Sequence, residues 1–202
     1  SAESWLTFEP ESFTLAAGAT TSVRYTIRPP ENVADDTAGE YVAAILVDEL
    51  PADATGDAGE VPPDAARRIS IIPRLALPVY LQIQGRQLRQ VEVSEMSAKK
   101  ERPRLLRIET TLRNRGTVHV RPEGALAVFK GVTSQLYRGA PLGKSLPLLP
   151  TASLAYPVVM PLPEPGRYRA VVTVAPYDGG EIFQRESAFE VTEEGEVIQT
   201  QK

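Results

Sequence analysis

The sequence predicts an all-β protein built as two tandem immunoglobulin-like β-sandwiches. Three observations lead there. Apolar and polar residues alternate with a period of two almost throughout, where helical spacing would repeat near 3.6. Proline is frequent, 18 of 202 residues, and scattered rather than periodic, as in chains of short strands separated by turns. The length, 202 residues, suits two sandwiches of about 100 residues each.

Taken in order, the first half offers strands at Trp5–Phe8, Val23–Ile27 and Tyr41–Val47, then a long one from Ile69 to Ile83. Gly18 and the Pro29, Pro30, Glu31, Asn32 cluster separate them. The segment from Pro51 to Ala66 is acidic and rich in Ala, Gly and Pro, which reads as a loop. The second half offers seven strands, at Gln87–Glu95, Leu105–Arg113, Val118–Val120, Ala125–Lys130, Leu154–Val159, Tyr168–Ala175 and Ile182–Val191. Asn114, Arg115 and Gly116 read as a three-residue hairpin with glycine in a left-handed position, and Asp178, Gly179, Gly180 as a tight hairpin. The expected organisation is a first sandwich over residues 1–85, a second over 86–192 and a polar tail at 193–202.

Charge separates the same halves. Residues 1–85 hold 5 Lys+Arg against 13 Asp+Glu, and residues 86–202 hold 17 against 13. The basic excess gathers between Arg86 and Arg121, where Lys99, Lys100, Arg102, Arg104 and Arg107 crowd together. No aromatic side chain lies there to stack on a base, and SAKKERPR reads as a loop, so solvated charge is expected and no nucleic-acid partner. No apolar run approaches the length of a membrane span.

A short repeat links the halves. Gly39, Glu40, Tyr41, Val42, Ala43 is echoed by Gly166, Arg167, Tyr168, Arg169, Ala170. Glycine, then Tyr, then a small residue at the entry to a late strand is the pattern of a tyrosine corner. If Tyr41 opens a penultimate strand, about two strands precede it, so the first sandwich is expected to lack its amino-terminal strands. Upstream residues, a partner chain or a second copy exchanging strands would then have to complete it.

Catalytic chemistry finds little footing. There is no Cys, which excludes disulfides, thiolate metal sites and cysteine nucleophiles. His119 is the single histidine and no Ser or Asp stands at a triad-like spacing, so it reads as structural or surface. Asp53, Asp57 and Glu60 lack the ligand spacing of a calcium loop. The chain is read as a non-enzyme without cofactor or metal, and Trp5 as a core anchor or a strand-pairing residue.

The most informative segment is RISIIPRLALPVYLQI, residues 68–83. Ile69, Ile71, Leu75, Leu77, Val79 and Leu81 fall on one face, while Pro73 and Pro78 cannot donate to a ladder, which suits a strand with an unpaired edge. Such a stripe can serve a partner's added strand, or face its own core as an ordinary last strand.

Glu9 to Ile83 resembles the second half of the amino-terminal domain of PapD-like periplasmic pilus chaperones. The pieces run in the same order: Pro10, Phe13, Leu15 and Gly18, then TSVRYTIRPPEN, then GEYVAAILVDELPA with its Leu50, Pro51 pair, a variable loop, and RLALPVYL. TLRNRGTVHVRPEGALAVF resembles the second sandwich of such a protein. The resemblance implies a periplasmic chaperone-like protein, its signal peptide upstream of Ser1, that binds a pilin-like or other incomplete β-sandwich subunit by strand addition. It also implies Arg74 as candidate anchor for the subunit's terminal carboxylate, a task suited to a guanidinium. The other reading left open is an exported spacer or adhesin module of a surface protein.

Overall fold

A computed structural model describes residues 2–31, 33, 39–49, 73–131, 135–142 and 146–200. It is an all-β protein, and its chain divides into two compact units, Ser1–Thr37 with Tyr41–Leu81, and Ala38–Glu40 with Gln82–Lys202. No helix is long and apolar enough to cross a membrane.

In the first unit a 3-10 turn at Glu3–Trp5 leads into β1 (Leu6–Glu9), which pairs antiparallel with β2 (Arg24–Ile27). β3 (Glu40–Asp48) pairs with β4 (Arg74–Gln82) as a separate two-stranded sheet. Trp5, half-buried, lies against the ring of Tyr41 at 4.6 Å between centroids. Among the described residues of this unit, Ala2 and Ala43 are buried. The acidic loop, the Leu50, Pro51 pair, and Ile69 and Ile71 lie outside the described residues.

The second unit is a two-layer sandwich. One sheet runs β5 (Val91–Arg102), β6 (Leu105–Asn114), β9 (Ser153–Pro161). The other has the order β12 (Val197–Thr200), β11 (Phe183–Val191), β10 (Gly166–Pro176), β7 (Pro122–Lys130), β8 (Leu136–Pro141). Alternation places every second residue of β6 inside, so Leu106, Ile108 and Leu112 meet Leu126, Val172 and Phe189 of the facing sheet, all with essentially no exposure. Burying each of these side chains stabilises by about 1.5–3 kcal/mol. The tyrosine corner forms at Tyr168, whose hydroxyl donates to the Glu164 carbonyl at 2.8 Å while its ring stacks on Phe189. Burial, and after it the nearby Glu164 carboxylate, raises the Tyr168 pKa above the ordinary phenol value.

Several expectations change. Asn114, Arg115 and Gly116 do not form a hairpin: the chain leaves β6 there and crosses to β7 in the other sheet. Asn114 is fully buried and directs this crossing, its Nδ2 donating to the Val118 and Leu148 carbonyls and its Oδ1 accepting the Gly116 N–H, all at 2.8 Å. Gly116 is needed for space, since a Cβ would overlap the Leu88 carbonyl. Val118–Val120 is reduced to a single bridge between Val120 and Leu148. SAKKERPR is mostly strand, because β5 continues to Arg102 and turns at Pro103 and Arg104, the latter at φ 69°. Two irregularities interrupt the β5 register, and at the first Arg185 of β11 donates to the Val93 and Ser94 carbonyls. β8 extends the second sheet beyond the strands expected. Residues 197–200, read as polar tail, are β12: a turn closed by Thr192 and Gly195 returns the chain onto β11. There Val197 joins the core, and Gln199 accepts the Ala98 N–H of β5 at 2.8 Å.

Candidate functional site

The strand singled out by its alternation is β4. Among the described residues β3 is the strand it pairs with. The Ile83 N–H, just past the end of β4, donates to the Gly39 carbonyl at 2.9 Å. Pro78 lies within β4 and has no N–H to give to a ladder on either side. On the stripe itself Leu75 is 57% and Leu77 45% exposed, whereas Val79 and Leu81 are half-buried. The greasy face is thus open at the Arg74 end and partly covered at the Gln82 end. Leu46 and Val47 on β3 are exposed too.

Arg74 begins β4 with its side chain largely in solvent, and its fork is occupied. Nε and Nη2 meet the two oxygens of Asp48 at 2.6 and 2.9 Å, a bidentate pair across the end of the β3–β4 sheet. The hydrogen bond from Arg74 lowers the Asp48 pKa, and the same bond raises that of Arg74. Asp48 takes the Nε–Nη2 edge, so a terminal carboxylate would meet Arg74 on its Nη1–Nη2 edge or replace Asp48.

A second polar constellation lies in the other unit, on residues that sequence reasoning set aside. Glu40, with no side-chain exposure, receives the His119 N–H on Oε1 at 3.0 Å. Its Oε2 meets His119 Nδ1 at 2.5 Å and accepts from Gln82 Nε2 at 3.2 Å. Gln82 Oε1 in turn accepts from Arg89 Nη2 at 3.3 Å. The backbone around the carboxylate is closely fitted. Thr117 exchanges backbone and side-chain hydrogen bonds with Leu88 and donates its hydroxyl to the Arg86 carbonyl. A Cβ on Gly39 would collide with Thr117 and with that carbonyl. The Gly39, Glu40, Tyr41 repeat marked the place, yet nothing in it names His119, 79 residues on, as the partner.

No family model matches the chain, and no curated protein does. Among solved structures it is similar to β-glucosidase 3B from Thermotoga neapolitana, at 16% identity over 56% of this chain and 17% of that one, with a TM-score of 0.39. It is also similar to the CARDB domain of a Pyrococcus furiosus protein in complex with di-metal ions, at 15% identity over 50% of this chain and 90% of that one, TM-score 0.30. A β-glucosidase from Kluyveromyces marxianus follows at 14% identity over 56% and 14%, TM-score 0.31. This chain spans less than a fifth of either glucosidase.

Proposed function

We propose that this chain is a non-catalytic, periplasmic chaperone-like protein for pilus or surface-fibre subunits, which takes up an incomplete β-sandwich subunit by strand addition along β4. The observation that carries this reading is the exposure of Leu75 and Leu77 on a strand whose described pairing is on one side only. An apolar edge of this kind is a pairing template that proteins normally blunt. Covering each leucine with a partner's side chains would contribute about 1.5–3 kcal/mol, with ladder hydrogen bonds fixing direction and register. Arg74 serves as carboxylate anchor in this scheme on its Nη1–Nη2 edge beside Asp48, or by exchanging Asp48 for the incoming group.

One observation favours a second reading, an exported spacer or adhesin module. Pro78 sits in the middle of β4, where its lost donor blunts pairing.

An affinity capture from periplasmic extract of the source cell separates the two. Wild type is compared with Leu75→Asp, Leu77→Asp and Arg74→Ala, each shown to be folded by circular dichroism. Strand addition predicts recovery of a small β-rich subunit by wild type and its loss in both Asp variants. A folded wild type that recovers no such subunit refutes it and leaves the spacer reading.

A further inference from the structure

The Arg74 end of β4 restricts what an added strand can carry. Arg74, Leu75, Ala76, Leu77 and Pro78 are all exposed, whereas Val79, Tyr80 and Leu81 are half-buried. Pro78 has no N–H to give, so the N–H groups for an added ladder at the open end come from Arg74 to Leu77. We infer that the partner is an extended segment whose alternate apolar side chains cover Leu75 and Leu77, and which sets an Asp or Glu side chain beside Arg74 on its other face. This rests on the strand-addition reading and adds the partner's chemistry to it.

Side chains alternate along a strand, so Leu75 and Leu77 stand on one face of β4, and Arg74 and Ala76 on the other. A residue directly across a ladder shares its partner's face, with Cβ atoms about 4.5–5.5 Å apart. The leucine face calls for apolar side chains, since Leu75 is 57% and Leu77 45% exposed. The other face calls for one sign of charge. Arg74 keeps 63% of its side chain in solvent, and Asp48 takes its Nε and Nη2 at 2.6 and 2.9 Å. Among the described residues Nη1 meets no acceptor. The guanidinium fork is rigid and Asp48 lies on the β3 side of it, so the donors left over turn away from β3, toward the side where an added strand lies. An acid there completes a row of alternating sign with Arg74 between two carboxylates, and its hydrogen bonds are charge-assisted. A Lys or Arg at that place sets like charges opposite each other, which is destabilising. The acid is read as a side chain because a side chain across from Arg74 stands on the same face, whereas a chain end lies in the line of the backbone.

Synthetic peptides, acetylated and amidated so that no terminal charge remains, are titrated into the full chain, with NMR shifts of the Leu75 and Leu77 amides reporting binding. The core Val-Thr-Val-Glu serves antiparallel addition and Glu-Val-Thr-Val parallel addition, each compared with Gln or Lys in place of Glu. In one of the two orders Glu is expected to bind more tightly than Gln, and at least about threefold more tightly than Lys, the difference shrinking as salt rises. Arg74→Gln, which removes the charge, should level the three peptides. Asp48→Lys combined with Arg74→Glu, which keeps an ion pair at this end of the β3–β4 sheet, should make the Lys peptide the tighter one. Equal binding of the Glu, Gln and Lys peptides to wild type overturns the acidic side chain and leaves strand addition standing. So does tighter binding of a Val-Thr-Val peptide that ends in a free carboxylate. Binding of none of the peptides overturns strand addition itself, and the acidic side chain with it.

Discussion

Replacing Asn114 by Ala removes a side chain with no exposure and three hydrogen bonds. The three losses are unequal. The Leu148 carbonyl keeps the Val120 N–H at 3.0 Å, so its share is small. The Val118 carbonyl and the Gly116 N–H lose the side-chain partner in a buried place, at about 1–3 kcal/mol each. The expected cost is about 3 kcal/mol, a large part of the roughly 5–15 kcal/mol that holds a domain of this size together. Asn114→Asp keeps the acceptor for Gly116 but sets a carboxylate oxygen where Nδ2 now lies 2.8 Å from two carbonyl oxygens. It should cost at least as much at neutral pH, and less in acid, where a protonated Asp again donates to one carbonyl. Exchange of the slowest β6 and β10 amides measures both variants and scores the second unit alone. A loss below about 1 kcal/mol for Asn114→Ala, or an Asp variant as stable as wild type at neutral pH, would refute the account of the crossing.

The Tyr156 hydroxyl is buried without a hydrogen-bond partner, so Tyr156→Phe should be neutral or stabilising by up to about 1 kcal/mol, checked by the same exchange. Burial raises the Tyr156 pKa in the folded chain, so the unfolded chain loses this proton first: stability is intact below about pH 10 and declines above it, less steeply in Tyr156→Phe. Arg104 holds φ 69° in the turn after β5, and Arg104→Gly should stabilise by about 0.5–1 kcal/mol once the entropy of glycine is counted, read as a shift in urea midpoint at constant slope.

The strands legible in the sequence were those with unbroken alternation, such as β6 and β10, because a buried face imposes its period on the residues. β8, which contains Gly139 and Pro141, and β12, which follows Glu193, Glu194 and Gly195, carried too little apolar periodicity to be seen. Their place is set by pairing with β7 and β11. Asn114 and Gly116 were recognised as turn formers, but local chemistry does not say whether a chain turns back within a sheet or crosses to another. The Tyr168 corner was legible because its hydrogen bond spans four residues. At the candidate site the leucine stripe was visible, whereas the occupation of Arg74 by Asp48, 26 residues away, depends on the strand register. His119 was set aside for the same reason, since its carboxylate partner arrives from another part of the chain.

The contact between Gln199 and the Ala98 N–H joins residues 101 apart, and it has a kinetic side. Until β12 docks, this backbone donor on the outer side of β5 is available to the wrong chain. Such long-range closure is slow, because the entropy of ordering the intervening loop is lost before the contact is made. A half-folded second unit is therefore open to edge-to-edge association along β5, and shortening the chain before Val197 would prolong that exposure indefinitely.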